Sequence, residues 1–292
     1  MRTNNRRPNF RSRRPTSSLP QQSYSFTTLG KNLDLNCDAA QGFGIYQNQY
    51  EEELFPYVTS INIACGLHAG DPITMNRAID SAKKHNLSIG ALIGYNDLFG
   101  NGQHEVYLDV GEIRALVLYQ LGALHALVQA KGLEIRHVRA HGFLYRQLYT
   151  DQLITQTVAK AIAEFSSWII LVGLSGHVLQ EGCRTANIKM GQEVQIAKKY
   201  RKDGTILPYS SKSDSKHFLE DSLRRARELI TTGSITCEDK SKLRVNADTI
   251  HLPSDRKEAI ELAKSIRALI TDPKPLHVDR YDQYFADFAS LK

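Results

Sequence analysis

Several polar side chains in this sequence have the chemistry to move protons or hold an anion, and they occur in short clusters far apart in the chain. Asn36 and Asp38 end one apolar run; His68 and Asp71 follow a second in NIACGLHAGD; Arg139 and His141 end a third in HVRAHGFLY. Glu193 lies in a fourth and Asp248 precedes a fifth. Carboxylates, imidazoles and one guanidinium brought together would form an acid–base centre for cleaving an amide or an ester. Asp38, His68 and His141 are also a common donor set for a divalent cation that activates water, although no HxH or HExxH spacing accompanies them.

Each residue has a plainer alternative. Asp71 precedes Pro72 and reads equally well as a helix cap. Arg139 either grips a substrate carboxylate or neutralises Asp38 and Glu193. Glu193 and Asp248 suit buried acids paired for structure. Cys37 and Cys65 stand beside the clusters, and a small buried residue describes them better than a reactive thiol.

Distant clusters need elements that converge. From residue 33 onward, short β-type runs alternate with longer segments of helical period, the pattern of βαβ units around a parallel sheet. The runs 33–37, 60–64, 88–91, 135–140, 169–173, 192–196 and 249–252 predict seven strands and an α/β fold, a nearly closed TIM-like barrel. The carboxyl ends of barrel strands face one mouth, which is where most of the clusters fall. Between strands, Asp71 with Pro72 and Asp255 with Glu258 mark helix starts. A helix over 110–131 places Ile113, Leu116, Val117, Leu121, Leu124 and Val128 on one stripe. The segment 198–216 reads as a long surface loop, a candidate lid.

Composition narrows the function. Residues 1–33 hold six arginines and Lys31 with no acid, leaving 30 basic and 31 acidic side chains in the other 259 residues. The basic balance therefore belongs to a tail, expected to be disordered over 1–31, and the body has no nucleic-acid signature. No run approaches the ~18 apolar residues of a membrane span. Four scattered cysteines without a CxxC pair suit a reducing, cytoplasmic setting. AAQGFG and GLSG lack the GxxxxGK[ST] pattern that wraps phosphates, so any ATP is expected on another chain. Ser175 in GLSG has no nucleophile elbow.

The same segments resemble the LamB/YcsF family. NLDLNCDAAQGFG, VTSINIACGLHAGDPITM, SIGALIGY, VLYQLGAL, RHVRAHGFLY, IILVGLSG and ADTI occur in the family's order over residues 32–270. The resemblance implies a distorted seven-stranded barrel of the glycoside hydrolase/deacetylase type spanning 32–272, with 273–292 as an extension. It also implies the A component of a 5-oxoprolinase, which opens 5-oxoproline to glutamate with ATP hydrolysis alongside B and C subunits. On that footing Asp38, His68, His141 and Asp71 are expected to be catalytic, and Asn36, Asn62, Arg139, Tyr145 and Glu193 to hold substrate. A divalent metal would fall to Asp38, His68 and His141.

Departures from the family pattern cluster at the strand ends. An acid becomes Gln41, a histidine becomes Leu92, a lysine becomes Arg139, an asparagine becomes Arg146, an aspartate becomes Ala197 and a histidine becomes Pro253. Leucine cannot ligate, donate or accept, and glutamine is no base near neutral pH. The alternative function is therefore a catalytically altered or inactive paralogue that binds a partner protein or a small ligand.

Overall fold

Strand β1 (Asp34–Ala39) alternates polar and apolar residues, yet every one of them is buried. That combination suits a strand packed on both faces, with polar Asp34, Asn36 and Asp38 on one side and Leu35, Cys37 and Ala39 on the other. The computed structural model describes residues 33–207 and 215–270. In chain order, β1 is followed by a short α1 (Glu51–Leu54), β2 (Ser60–Ala64), α2 (Pro72–His85) and β3 (Ser88–Ile93). Next come α3 (Val110–Ala130), β4 (Ile135–Ala140), α4 (Gly142–Thr150), α5 (Gln152–Phe165), β5 (Ile170–Leu174), α6 (His177–Ala186) and β6 (Lys189–Gln195). The last elements are α7 (Ser215–Thr232), β7 (Ser234–Thr236), β8 (Lys242–Arg244), β9 (Thr249–Leu252) and α8 (Glu258–Leu269).

β1, β2, β3, β4, β5, β6 and β9 close into a parallel barrel in that order. Closure leaves no free edge. The expected strands are all present, some with displaced ends: β3 runs on to Ile93, and β6 starts at Lys189.

The barrel interior is polar and layered. Near the amino ends, Asp34 accepts hydrogen bonds from Thr59 Oγ1 (2.6 Å), Ser60 Oγ (2.9 Å) and Thr249 Oγ1. Burial pushes its carboxyl up to about 6 against these three hydroxyl donors, with Glu193 adding to the rise. One layer up, Asn62 Nδ2 donates to Asn36 Oδ1 (2.8 Å), and Asn62 Oδ1 meets His137 Nε2 (2.8 Å). Asn36 Nδ2 donates to Thr249 Oγ1 (2.6 Å). These bonds satisfy groups that would otherwise be costly to bury, and they make the lower barrel a rigid floor for the mouth.

The outer helices bury apolar stripes. α3 has Ile113, Val117, Leu121, Leu124 and Val128 fully buried, with Leu116 only half-buried. Although no apolar run in it is uninterrupted, α3 is long and apolar enough to cross a membrane by length and composition only. In the barrel its buried stripe faces the sheet.

Other expectations are corrected. Asp255 does not cap α8, whose N-cap residue Lys257 makes no side-chain cap bond. β7 and β8 form an antiparallel hairpin that no sequence signal announces. Within the expected loop 198–216, residues 199–207 fold back on themselves through Arg201 N to Thr205 O (2.8 Å) and Leu207 N to Lys199 O (2.9 Å). The expected loop ends early, because α7 begins at Ser215; its residues 208–214, the tail 1–31 and the extension 273–292 lie outside the described residues.

Candidate active site

Asp38 ends the inward face of β1 and is 5% exposed. Its two oxygens are surrounded symmetrically. Oδ1 faces Asn62 Nδ2 (3.0 Å), Arg139 Nη1 (3.2 Å) and His251 Nε2 (3.4 Å). Oδ2 faces Gln41 Nε2 (3.3 Å), Arg139 Nη1 (3.3 Å) and His141 Nδ1 (3.5 Å). Burial alone would raise this carboxyl; the Arg139 guanidinium, then His251 and His141, outweigh it and hold Asp38 well below the usual carboxylate range. It is an orienting anion, unsuited to carrying a proton near neutral pH.

Arg139 is 3% exposed and all three guanidinium nitrogens are engaged. Nε and Nη2 meet Glu193 Oε2 (2.8 Å) and Oε1 (3.0 Å) as a bidentate pair, and Nη1 meets Asp38. Of the two readings of Arg139, this geometry matches neutralisation of Asp38 and Glu193. Tyr145 Oη donates to Glu193 Oε1 (2.8 Å) and its ring centroid lies 4.7 Å from the Arg139 guanidinium carbon. Burial opposes ionisation of Glu193, but Arg139 and His251 keep its carboxyl below the usual range. Asn36 Nδ2 reaches Glu193 Oε2 at 3.4 Å.

His68 and His141 stack with ring centroids 4.7 Å apart and planes 14° from parallel. His68 is fully buried, and among the described residues neither of its ring nitrogens has a hydrogen-bond partner. Burial, then the neighbouring His141, pushes its pKa well below the usual imidazole value, so it is neutral at physiological pH. Backbone close approach makes room for the stack: a Cβ at Gly94 would meet His68 Nδ1 at 2.6 Å, and one at Gly102 would meet His68 Cβ at 3.1 Å and His141 Cδ2 at 3.3 Å. Gly94 is clamped by buried Gln120 of α3, which accepts from its N–H (2.9 Å) and donates to its carbonyl (3.0 Å). The loop over the rings is tied by Asp97 to Gly100 N (2.9 Å) and His104 N (3.1 Å). Gln103 Nε2 faces His141 Nε2 at 3.4 Å.

The mouth thus assembles Asp38, His68, His141, Arg139, Glu193, Tyr145, Asn36 and Asn62. Two expected residues stand apart. Asp71 caps α2, accepting from Ile73 N (2.9 Å), Thr74 N (2.8 Å) and Gly44 N (2.8 Å), which matches its plainer reading. Asp248 precedes β9 at its amino end, away from the mouth, and accepts from Gln192 N (3.0 Å). Cys37 and Cys65 are buried with thiols pushed well up, Cys65 to about 12, so neither suits a nucleophile. The metal expectation does not fit the donors: among the described residues no three His, Cys, Asp or Glu side chains converge in a cation-holding group, and Arg139 already occupies the cationic position on both Asp38 oxygens.

Sequence reasoning finds neither His251 nor Gln120. The family pattern directs attention to position 253, just past the end of β9, and Gln120 reads as one polar residue in an apolar helix.

A closed parallel barrel with an acid–base cluster at its carboxyl mouth defines a class of β/α-barrel proteins equipped for hydrolytic chemistry. This chain belongs to the LamB/YcsF family, whose model matches residues 33–279. Over 238 residues it is 35% identical to the 5-oxoprolinase A component of Symbiobacterium thermophilum, covering 82% of this chain and 91% of that protein. Over 240 residues it is 35% identical to the corresponding protein of Pyrococcus abyssi, covering 82% and 94%. The crystal structure of the lactam utilization protein from Thermus thermophilus superposes with a TM-score of 0.77 at 32% identity, over 84% of this chain and 100% of that one.

Proposed function

We propose that this chain is the A component of a 5-oxoprolinase and that its barrel mouth carries out ring opening of the lactam. The observation that carries the reading is the pair of stacked imidazoles beside a carboxylate held ionised, in a chain similar over most of its length to proteins of that name. ATP use is assigned to partner subunits, because this chain offers no GxxxxGK[ST] phosphate cradle. The four free, buried cysteines suit a cytoplasmic enzyme.

Opening the ring adds water across the C–N bond: hydroxyl to the carbonyl carbon, hydrogen to the departing nitrogen. His141, oriented by Asp38 at Nδ1, takes the proton from water and returns it to that nitrogen. His68, neutral and with neither ring nitrogen hydrogen-bonded among the described residues, donates to the carbonyl oxygen as charge develops there. Arg139 fixes the positions of Asp38 and Glu193. The cation for the substrate carboxylate is Lys198, half-buried just past β6. Burial, with Arg139, Arg256 and Arg146 contributing and Asp255 opposing, pushes its ammonium down to about 8. Gln41 touches Asp38 and also lines a cleft of about 360 Å³ with Tyr46, Asn48, Tyr50 and Asn101, the route proposed for substrate.

A second reading, a paralogue that binds without turnover, is favoured by Leu92, which packs with Ala64 and Ala69 where the family pattern has a histidine. Combining the purified chain with B and C subunits and measuring 5-oxoproline-dependent ATP hydrolysis separates the two. Hydrolysis that requires all components supports the first. Its absence in wild type together with its appearance in Leu92→His, Pro253→His supports the second.

A further inference from the structure

His251 has no part in the steps above, yet it sits at their centre. β9 lies between β1 and β6, the strands that carry Asp38 and Glu193, and His251 is in register with Asn36 on one side and Gln195 on the other. Its Nε2 is buried 3.4 Å from Asp38 Oδ1, within ion-pair distance, and makes no aligned hydrogen bond among the described residues. An apolar residue would fill this barrel position without the cost of a buried ring nitrogen. A nitrogen held so near a carboxylate is placed to donate to it after a small turn of the ring. The surrounding charges point the same way: one guanidinium, Arg139, stands against two buried carboxylates, Asp38 and Glu193, so a further donor to Asp38 is favourable.

We propose that His251 is a positioning residue of the acid–base centre, closing the Oδ1 side of Asp38 so that Oδ2 stays aligned on His141 Nδ1. Each Asp38 oxygen then has one amide, one imidazole and a share of Arg139 Nη1, and loss of His251 frees the carboxylate to turn away from His141. His141 itself stacks on His68 and cannot serve both sides. The imidazole that the family pattern has at 253, just past β9, is thereby matched by one two residues earlier, inside the strand.

This inference rests on the 5-oxoprolinase reading for its kinetic arm and on geometry alone for its spectroscopic arm. In the complete complex, His251→Ala is expected to lower kcat by about tenfold or more, with KM within about twofold of wild type, as loss of an orienting partner does. His251→Gln, whose Nε2 can occupy the same point, is expected to recover most of that loss. Equal losses in the two variants, or an unchanged kcat in His251→Ala, would overturn the proposal. Ring-15N histidine spectra of the full chain supply the other arm: the His251 Nε2–H signal should shift strongly in Asp38→Asn. A signal indifferent to that substitution overturns the proposal even if wild type shows no turnover, an outcome that would separately remove the 5-oxoprolinase reading.

Discussion

Lys198 is the residue whose chemistry is easiest to test by pH. It is held to about 8, so it is charged below that pH and loses its proton above it. If it meets the substrate carboxylate, KM for 5-oxoproline should be lowest below about pH 8 and rise above it, while Lys198→Met should raise KM at lower pH and flatten the dependence. A wild-type KM that is flat across this range contradicts the role. His68 and His141 are legible in the sequence because each follows an apolar strand run where the chain leaves the barrel, and Asp38 because it is a carboxylate near the end of such a run. For Arg139 the sequence offers both a substrate grip and neutralisation of Asp38 and Glu193, and only the fold, with Nε and Nη2 committed to Glu193, decides between them. His251 is hidden because it lies within a strand, where no turn marks it.

At the scale of elements, the loop from β1 to α1 carries Gln41 to Asp38 and is held by Glu51, the first residue of α1, which accepts from Gln41 N at 3.4 Å. Burial, opposed by the Gln41 and Ala40 N–H groups and Arg77, raises the Glu51 carboxyl from 4.5 to about 7. The folded state therefore binds this proton more tightly than the unfolded chain. Its stabilising contribution is complete below the unfolded value and is lost as the pH rises through about 7. Glu51→Gln cannot ionise and should gain on wild type between about pH 5 and about pH 8 by on the order of 3 kcal/mol, read from urea unfolding. Parallel pH dependences for the two proteins would show that Glu51 is not held this way. Element positions are largely predictable, because β-type runs and amphipathic helices differ in period. β7 and β8 are not, since three residues are too few to display an alternation.

Across the whole molecule, the barrel divides its labour by height. Asp34 with its hydroxyl donors and the Asn36–Asn62–His137 layer form a satisfied polar floor, and the mouth above concentrates the ionisable groups. This layering follows from period-two alternation on strands buried on both faces, so the inward residues of β1 can be read from sequence, while their partners on β2, β4, β6 and β9 require the closed order. Leu92 and Pro253 remove imidazoles from that mouth and His251 supplies one, and the proposed function requires this altered centre to remain competent. The rate of glutamate release from 5-oxoproline and ATP, by the complex reconstituted with wild type and with His141→Ala, tests this competence at its core. Steady release is expected from wild type, with a loss of about 10²-fold or more in a variant that still folds. Equal rates for the two proteins would contradict an acid–base role for the barrel mouth.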